Sequence, residues 1–143
     1  MMNTAIILIL LIPISVEAQI YSCPLTNGRI KEFKNELYSR QDPDNGVVIY
    51  SIDKDSTVTS IAKGNVIKIV KHYENNYSVI VGIGGMIVAY KDLLKTSVVK
   101  GQSVDVHDII GFAIRNENGL LEVRLSMWED VNQINLRPLL ECK

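Results

Sequence analysis

From Gly46 onward the sequence is a train of short β-branched runs cut by turn residues, and that spacing admits few folds. The runs are Val47 to Tyr50, Val58 to Ile61, Val66 to Val70, Tyr77 to Val81 and Met86 to Tyr90. They continue as Val104 to Val106, Ile109 to Ile114 and Leu120 to Met127. Gly64-Asn65, Glu74-Asn75-Asn76, Gly82 to Gly85 and Asn116 to Gly119 separate them. Connections this short join antiparallel strands and leave no room for the helices of βαβ units. The expectation is an all-β, single-domain antiparallel sandwich or roll. Asp92-Leu93-Leu94-Lys95 reads as one helical turn within it. Ahead of Gly46, Ile30, Phe33 and Leu37 recur at helical spacing with Asn27 as a cap, which reads as a short amphipathic helix. Gln41 to Gly46 is then a loop.

Length and charge narrow the function. The chain has 143 residues, enough for one domain. Its 15 basic and 16 acidic side chains nearly cancel, which argues against a basic surface for nucleic acid. Ala5 to Ile14 is almost unbroken hydrocarbon, too short to span a bilayer and interrupted by Pro13. Val16-Glu17-Ala18 follows with modest side chains where a signal peptidase reads, so residues 1–18 are expected to be a signal peptide cut before Gln19. Residues 19–143 are then the domain, periplasmic or extracellular. No later stretch is long enough for a membrane span.

Export gives meaning to two cysteines at opposite ends of the mature chain. In an oxidising compartment Cys23 and Cys142 are expected to form one bridge that closes the domain. A lipid anchor on Cys23 is the alternative. It sits poorly with Tyr21, because acylation wants a small residue there. Two free thiols are the third reading.

Several segments, in order, resemble the lysostaphin/LytM-type zinc endopeptidases that cut peptidoglycan cross-links. Val58 to Val66 is similar to that family's "valine, alanine, then glycine-x-valine" hairpin. Tyr77 to Val81, Gly84-Gly85 and Tyr90-Lys91-Asp92-Leu93 follow its middle strands up to a tyrosine-x-histidine-leucine motif. Lys100-Gly101-Gln102 with Ile110-Gly111 matches its lysine-glycine-glutamine segment. Leu120 to Leu125 stands where it has histidine-leucine-histidine-phenylalanine-glutamate, and Asn135 to Leu140 is similar to its proline-leucine ending. The likeness covers Asn45 to Leu140. It also makes Pro24 to Phe33 a leading strand, in conflict with the helix read from periodicity.

The resemblance implies the fold but not the chemistry. A catalytic zinc takes three nitrogen or oxygen ligands and leaves one position for water. The family draws them from histidine-x-x-x-aspartate and from the second histidine of histidine-x-histidine. Here those places fall on Asp44 to Val48 and on Glu122, and the catalytic histidine falls on Asp92. Val48 has no donor atom. No zinc, no other cofactor and no catalytic residue are therefore expected, and the chain reads as a degenerate, non-catalytic relative.

What the resemblance then implies is binding, of peptidoglycan peptides or of an envelope partner protein, with possible control of a cell-wall hydrolase. The expected groove residues are Asp44, Tyr90, Asp92, Glu122, Arg124 and Trp128. Asp44, Asp92 and Glu122 would converge if they serve a hard cation such as Ca²⁺ or a partner's cationic group; otherwise they are solvated surface acids. Two alternatives stay open, an active metal-dependent endopeptidase with carboxylate ligands and a structural envelope domain.

Other features carry less. His72 and His107 lie 35 positions apart, outside the aligned motifs, and read as surface residues. Ser56, Ser60, Ser78 and Ser103 have no histidine at a recognisable nucleophile spacing. Gly82-Ile83-Gly84-Gly85 has the glycine content of a phosphate loop, but a strand follows it, so a hairpin turn is expected. Trp128, Tyr50, Tyr73 and Tyr90 are expected in the core or along a saccharide- or peptide-binding face.

Overall fold

The computed structural model describes residues 20–32 and 46–143. The expected signal peptide, Asp44, Phe33, Leu37 and most of the loop at Gln41 to Gly46 lie outside those residues. Among the described residues ten strands form one hydrogen-bonded sheet. They are β1 (Arg29–Ile30), β2 (Val47–Ser51), β3 (Thr57–Thr59), β4 (Gly64–Lys71) and β5 (Tyr77–Ile83), then β6 (Met86–Thr96), β7 (Ser103–Val104), β8 (Ile109–Arg115), β9 (Leu121–Glu129) and β10 (Asn132–Ile134). A 3₁₀ turn, Arg137–Leu139, follows. Along the sheet the order is β1-β2-β9-β8-β6-β5-β4-β7, with β10 on β9 and β3 on β8. The all-β antiparallel expectation therefore holds.

Alternation explains which face is buried. On β9, Leu121, Val123, Leu125 and Met127 point into the core, and Glu122, Arg124 and Trp128 point away from it. Val79, Val81 and Ile83 of β5 and Val88 and Tyr90 of β6 fill the same core. Between β5 and β6 the chain reverses through Gly84-Gly85, with Ile83 opposite Met86. Gly84 takes φ 63°, which costs nothing without a Cβ, so the glycine run is a hairpin as expected.

Two local expectations are corrected. Asp92 to Lys95 is not a helical turn but the second half of β6. The segment keeps extended pairing because Leu93 is wanted in the core opposite Ala113 of β8. Nor does a helix start at Asn27. That residue takes φ 54° in a turn, and Arg29–Ile30 pairs with Tyr50 and Ile49 as a leading strand. Ladder hydrogen bonds to β2 override the helical periodicity of a few apolar residues. Gly64-Asn65, which looked like punctuation, opens β4 and pairs with β7.

Both ends of the domain are clamped side by side. The Tyr21 N–H donates to the Leu139 carbonyl at 2.6 Å, and the Glu141 N–H donates to the Tyr21 carbonyl at 2.9 Å. Further along, the Lys143 N–H donates to the Gly28 carbonyl and the Ile30 N–H to the Lys143 carbonyl. Tyr21, Leu25, Leu136 and Leu140 complete the core from these segments. Cys23 and Cys142 are bonded across them, so the bridge expected from the sequence is present. Gly28 packs against it. A Cβ there would stand 2.7 Å from Cys23 Sγ and 2.9 Å from Ile49 Cγ2, so the position tolerates only glycine.

A polar staple ties the same N-terminal segment to the loop after β2. Thr26 Oγ1 donates to Asp55 at 2.9 Å, Asn27 Nδ2 to Asp53 at 2.8 Å, and Ser51 Oγ to the Thr26 carbonyl at 2.6 Å. The Asp55 N–H and the Asn27 amide hold Asp53 below the ordinary value of 3.8. Asp55 is lowered by the Thr57 hydroxyl and N–H and then by the Thr26 hydroxyl. Donors aimed at a carboxylate favour its charged form.

Two outcomes are expected. Cys142→Ser, or reduction of the 119-residue link, should lower unfolding free energy by about 2–5 kcal/mol in denaturant titrations of the otherwise folded chain. Because both aspartates titrate lower when folded, their stabilisation is present above the unfolded value near 3.8 and is lost as pH falls through the lower folded values. Stability measured across that acid range should therefore fall less steeply in Asp55→Asn than in the parent.

Candidate functional site

The open face of β9 and β6 holds three of the six residues singled out by sequence, Asp92, Arg124 and Trp128. Lys91 of β6 pairs with Arg124 of β9, Ala89 with Ser126, and Ile87 with Trp128. Ala89 and Ser126 are small and only 5% and 2% exposed, so they form a floor between larger neighbours. The Lys91 ammonium lies over the Trp128 ring, 5.3 Å from its centroid. At a half-exposed site such a contact contributes about 0.5–1 kcal/mol.

Asp92 reaches this face through a break in alternation. Val79 of β5 lies opposite Tyr90 and Tyr77 opposite Leu93, so Ser78 alone faces both Lys91 and Asp92. The extra residue is Asp92, at φ 63°. A bulge of this kind re-aims a side chain, and here it allows Tyr90 and Leu93 both to stay inside. Asp92 Oδ2 then meets Arg124 Nε at 3.3 Å. At the same point β6 leaves β9 for a new partner, β8, and Leu93 takes Ala113 opposite it.

Tyr90 is a correction. It does not line a groove: it is fully buried, and its hydroxyl accepts the Ile61 N–H at 2.9 Å. Strict alternation from Val88 carries it into the core. Burial pushes its pKa up to about 12, against the opposing effect of the Ile61 hydrogen bond.

Glu122 turns to a different neighbourhood from Asp92. Asn116 Nδ2 donates to its Oε2 at 2.9 Å. It helps line a cleft of about 550 Å³ with Arg29, Lys31, Glu32, Tyr50, Asn116 and Lys143. Arg29, Lys31 and Asn116 were missed in the sequence. No spacing reveals them, since they come from separate elements brought together by strand register. Tyr50, an aromatic expected in the core or on a binding face, stands here because it pairs opposite Glu122.

These residues do not suit a zinc ion. Of the positions that correspond to the metal ligands, Asp44 is outside the described residues, Val48 is a buried hydrocarbon, and Glu122 is held by an amide. Among the described residues, no three of His, Cys, Asp and Glu form a group able to hold a metal. The histidines do find serines. His72 Nε2 lies 2.7 Å from Ser78 Oγ across the β4–β5 hairpin, and His107 Nδ1 lies 3.3 Å from Ser22 Oγ. The His72 contact was invisible to family spacing. Its other ring nitrogen has no hydrogen-bond partner among the described residues.

The sequence matches no family profile and no curated protein. Solved structures do match. A chain of the SpoIIQ–SpoIIIAH pore forming complex superposes at a TM-score of 0.68 with 19% identity, covering 86% of this chain and 92% of that one. The chain has the lysostaphin-type fold. Lysostaphin itself matches at a TM-score of 0.61 with 16% identity, over 80% of this chain and 49% of lysostaphin. A zinc containing peptidase from Vibrio cholerae gives 0.61 and 19%, over 82% and 39%. The chain thus spans less than half the length of either peptidase. Among the described residues, no helix is long and apolar enough to cross a membrane.

The two tyrosine-x-aspartate side chains separate stability from surface chemistry. Tyr90→Phe strands a buried Ile61 N–H and should cost about 1–3 kcal/mol in thermal or chemical unfolding. Asp92→Asn keeps a residue tolerant of positive φ and removes only an exposed ion pair, so it should cost less than about 1 kcal/mol.

Proposed function

We propose that this chain is an exported, non-catalytic binding module of the cell envelope, directed at peptidoglycan peptides or at an envelope protein. The observation that carries the reading is the Asp92–Arg124 ion pair. It occupies the place where the lysostaphin-type motif has its catalytic histidine, and it ties up the one carboxylate that a substituted metal site would need there. A carboxylate engaged by a guanidinium is a poor ligand. The half-buried ring of Trp128, the small floor at Ala89 and Ser126, and the flanking charges suit a bound peptide better than a reaction centre.

The neighbours support binding as a use of this fold. One of them belongs to an assembly described as a pore forming complex, alongside neighbours described as peptidases. Cleavable export through residues 1–18 and control of a wall hydrolase are parts of the same proposal. Asp92, Glu122, Arg124 and Trp128 are its contact residues; Asp44 stays a candidate by sequence, and Tyr90 supports the face from beneath.

The test is retention on purified peptidoglycan sacculi, with muropeptide release followed in the same samples. The folded chain should be retained, Trp128→Ala should weaken retention several-fold, and no muropeptide should appear with or without chelator. Absence of retention by a chain that keeps its melting transition would overturn the peptidoglycan reading. Release that stops on chelation or in Glu122→Ala would instead establish the enzyme.

A further inference from the structure

The cleft beside the open face carries its charges in a fixed order. Arg29 of β1 lies opposite Tyr50 of β2, and Tyr50 lies opposite Glu122 of β9. Cross-strand partners leave a sheet on one face, so cation, phenol ring and carboxylate form a single row. At one end Arg29 is joined by Lys31 and Lys143, three basic side chains beside the acidic side chain of Glu32 among the described residues. At the other end Glu122 accepts a hydrogen bond from Asn116 and makes no ion pair with a described residue.

The two ends do not satisfy each other. Arg29 and Glu122 stand on strands separated by β2, two interstrand spacings or about 10 Å between backbones. At that separation the attraction between exposed charges is largely screened at physiological salt. Half-buried Tyr50 fills the space between them and offers an aromatic surface. Among the described residues each end therefore presents charge without an ion-pair partner to a cleft of about 550 Å³, within the size range of small-ligand sites.

We infer that this cleft binds a short zwitterionic peptide, with its ammonium on Glu122 and its terminal carboxylate on Arg29 and Lys31. An extended chain of three residues spans about 10 Å, which matches the separation of the two ends. The guanidinium suits a carboxylate because its donors match both oxygens. Asn116 fixes one oxygen of Glu122 and leaves the other for the ammonium. This deepens the proposed binding role and rests on it, adding that the ligand is a free peptide with both ends charged rather than the interior of a polymer.

Tri-alanine, N-acetyl-tri-alanine and tri-alanine amide, titrated into the full disulfide-bonded chain by calorimetry or amide NMR, test the inference. Tri-alanine should bind saturably, and capping either end should weaken it about tenfold or more. In Glu122→Gln the acetylated and free peptides should bind alike, and in Arg29→Gln the amide and the free peptide should bind alike. Equal affinity for all three probes, no saturable binding at millimolar concentration, or unchanged discrimination in folded variants would overturn it. Retention on sacculi with a charge-indifferent cleft would leave the proposed function standing and remove this site. Charge-selective binding of tri-alanine by a chain that sacculi do not retain would do the reverse.

Discussion

One extra residue in the middle of β6 sets the shape of the open face. An eleven-residue strand cannot keep strict alternation, bury Tyr90 and Leu93, and change neighbours from β9 to β8 without a local break. Asp92 supplies it. Its left-handed backbone lets Lys91 and Asp92 both turn outward, and only then can Asp92 meet Arg124. Aspartate tolerates that conformation better than a β-branched residue would, so the local chemistry agrees with the bend.

The rest of the domain holds that strand in place from a distance. The terminal segments lie together, joined by backbone hydrogen bonds and the Cys23–Cys142 bond, and they cover the core from its open side. Tyr90 connects the two systems. Its ring sits under the binding face, and its hydroxyl caps the Ile61 N–H in the segment that follows β3. The same clamp places Lys143 and Arg29 at one end of the cleft, so the bridge that stabilises the fold also builds a wall of the candidate site.

How much was legible depends on the period of the signal. The strands from Val47 to Met127 were readable because β-branched alternation is local and repeats every two residues. The leading strand was not read from periodicity, since its described part is a two-residue ladder with β2, Arg29–Ile30, too short to show alternation. Asp92 to Lys95 looked helical because a bulge interrupts alternation just as a turn of helix does. Tyr90 reads as a groove residue from its motif because a motif gives a residue's place in the chain and not the face it occupies. The serine partner of His72 went unseen because the contact crosses a hairpin.

By itself the sequence determined an antiparallel β domain, the replacement of metal-ligand side chains at Val48 and Glu122 and of the catalytic histidine at Asp92, and two cysteines placed to close the chain. Those are properties of residue identity and short-range order. Tertiary structure alone decided that Asp92 faces Arg124 while Glu122 faces Asn116, and that Arg29, Tyr50 and Glu122 form one row. The physical reason is register. Alternation fixes which residues share a face of one strand, but the neighbour each meets depends on where bulges fall and which distant strands pair.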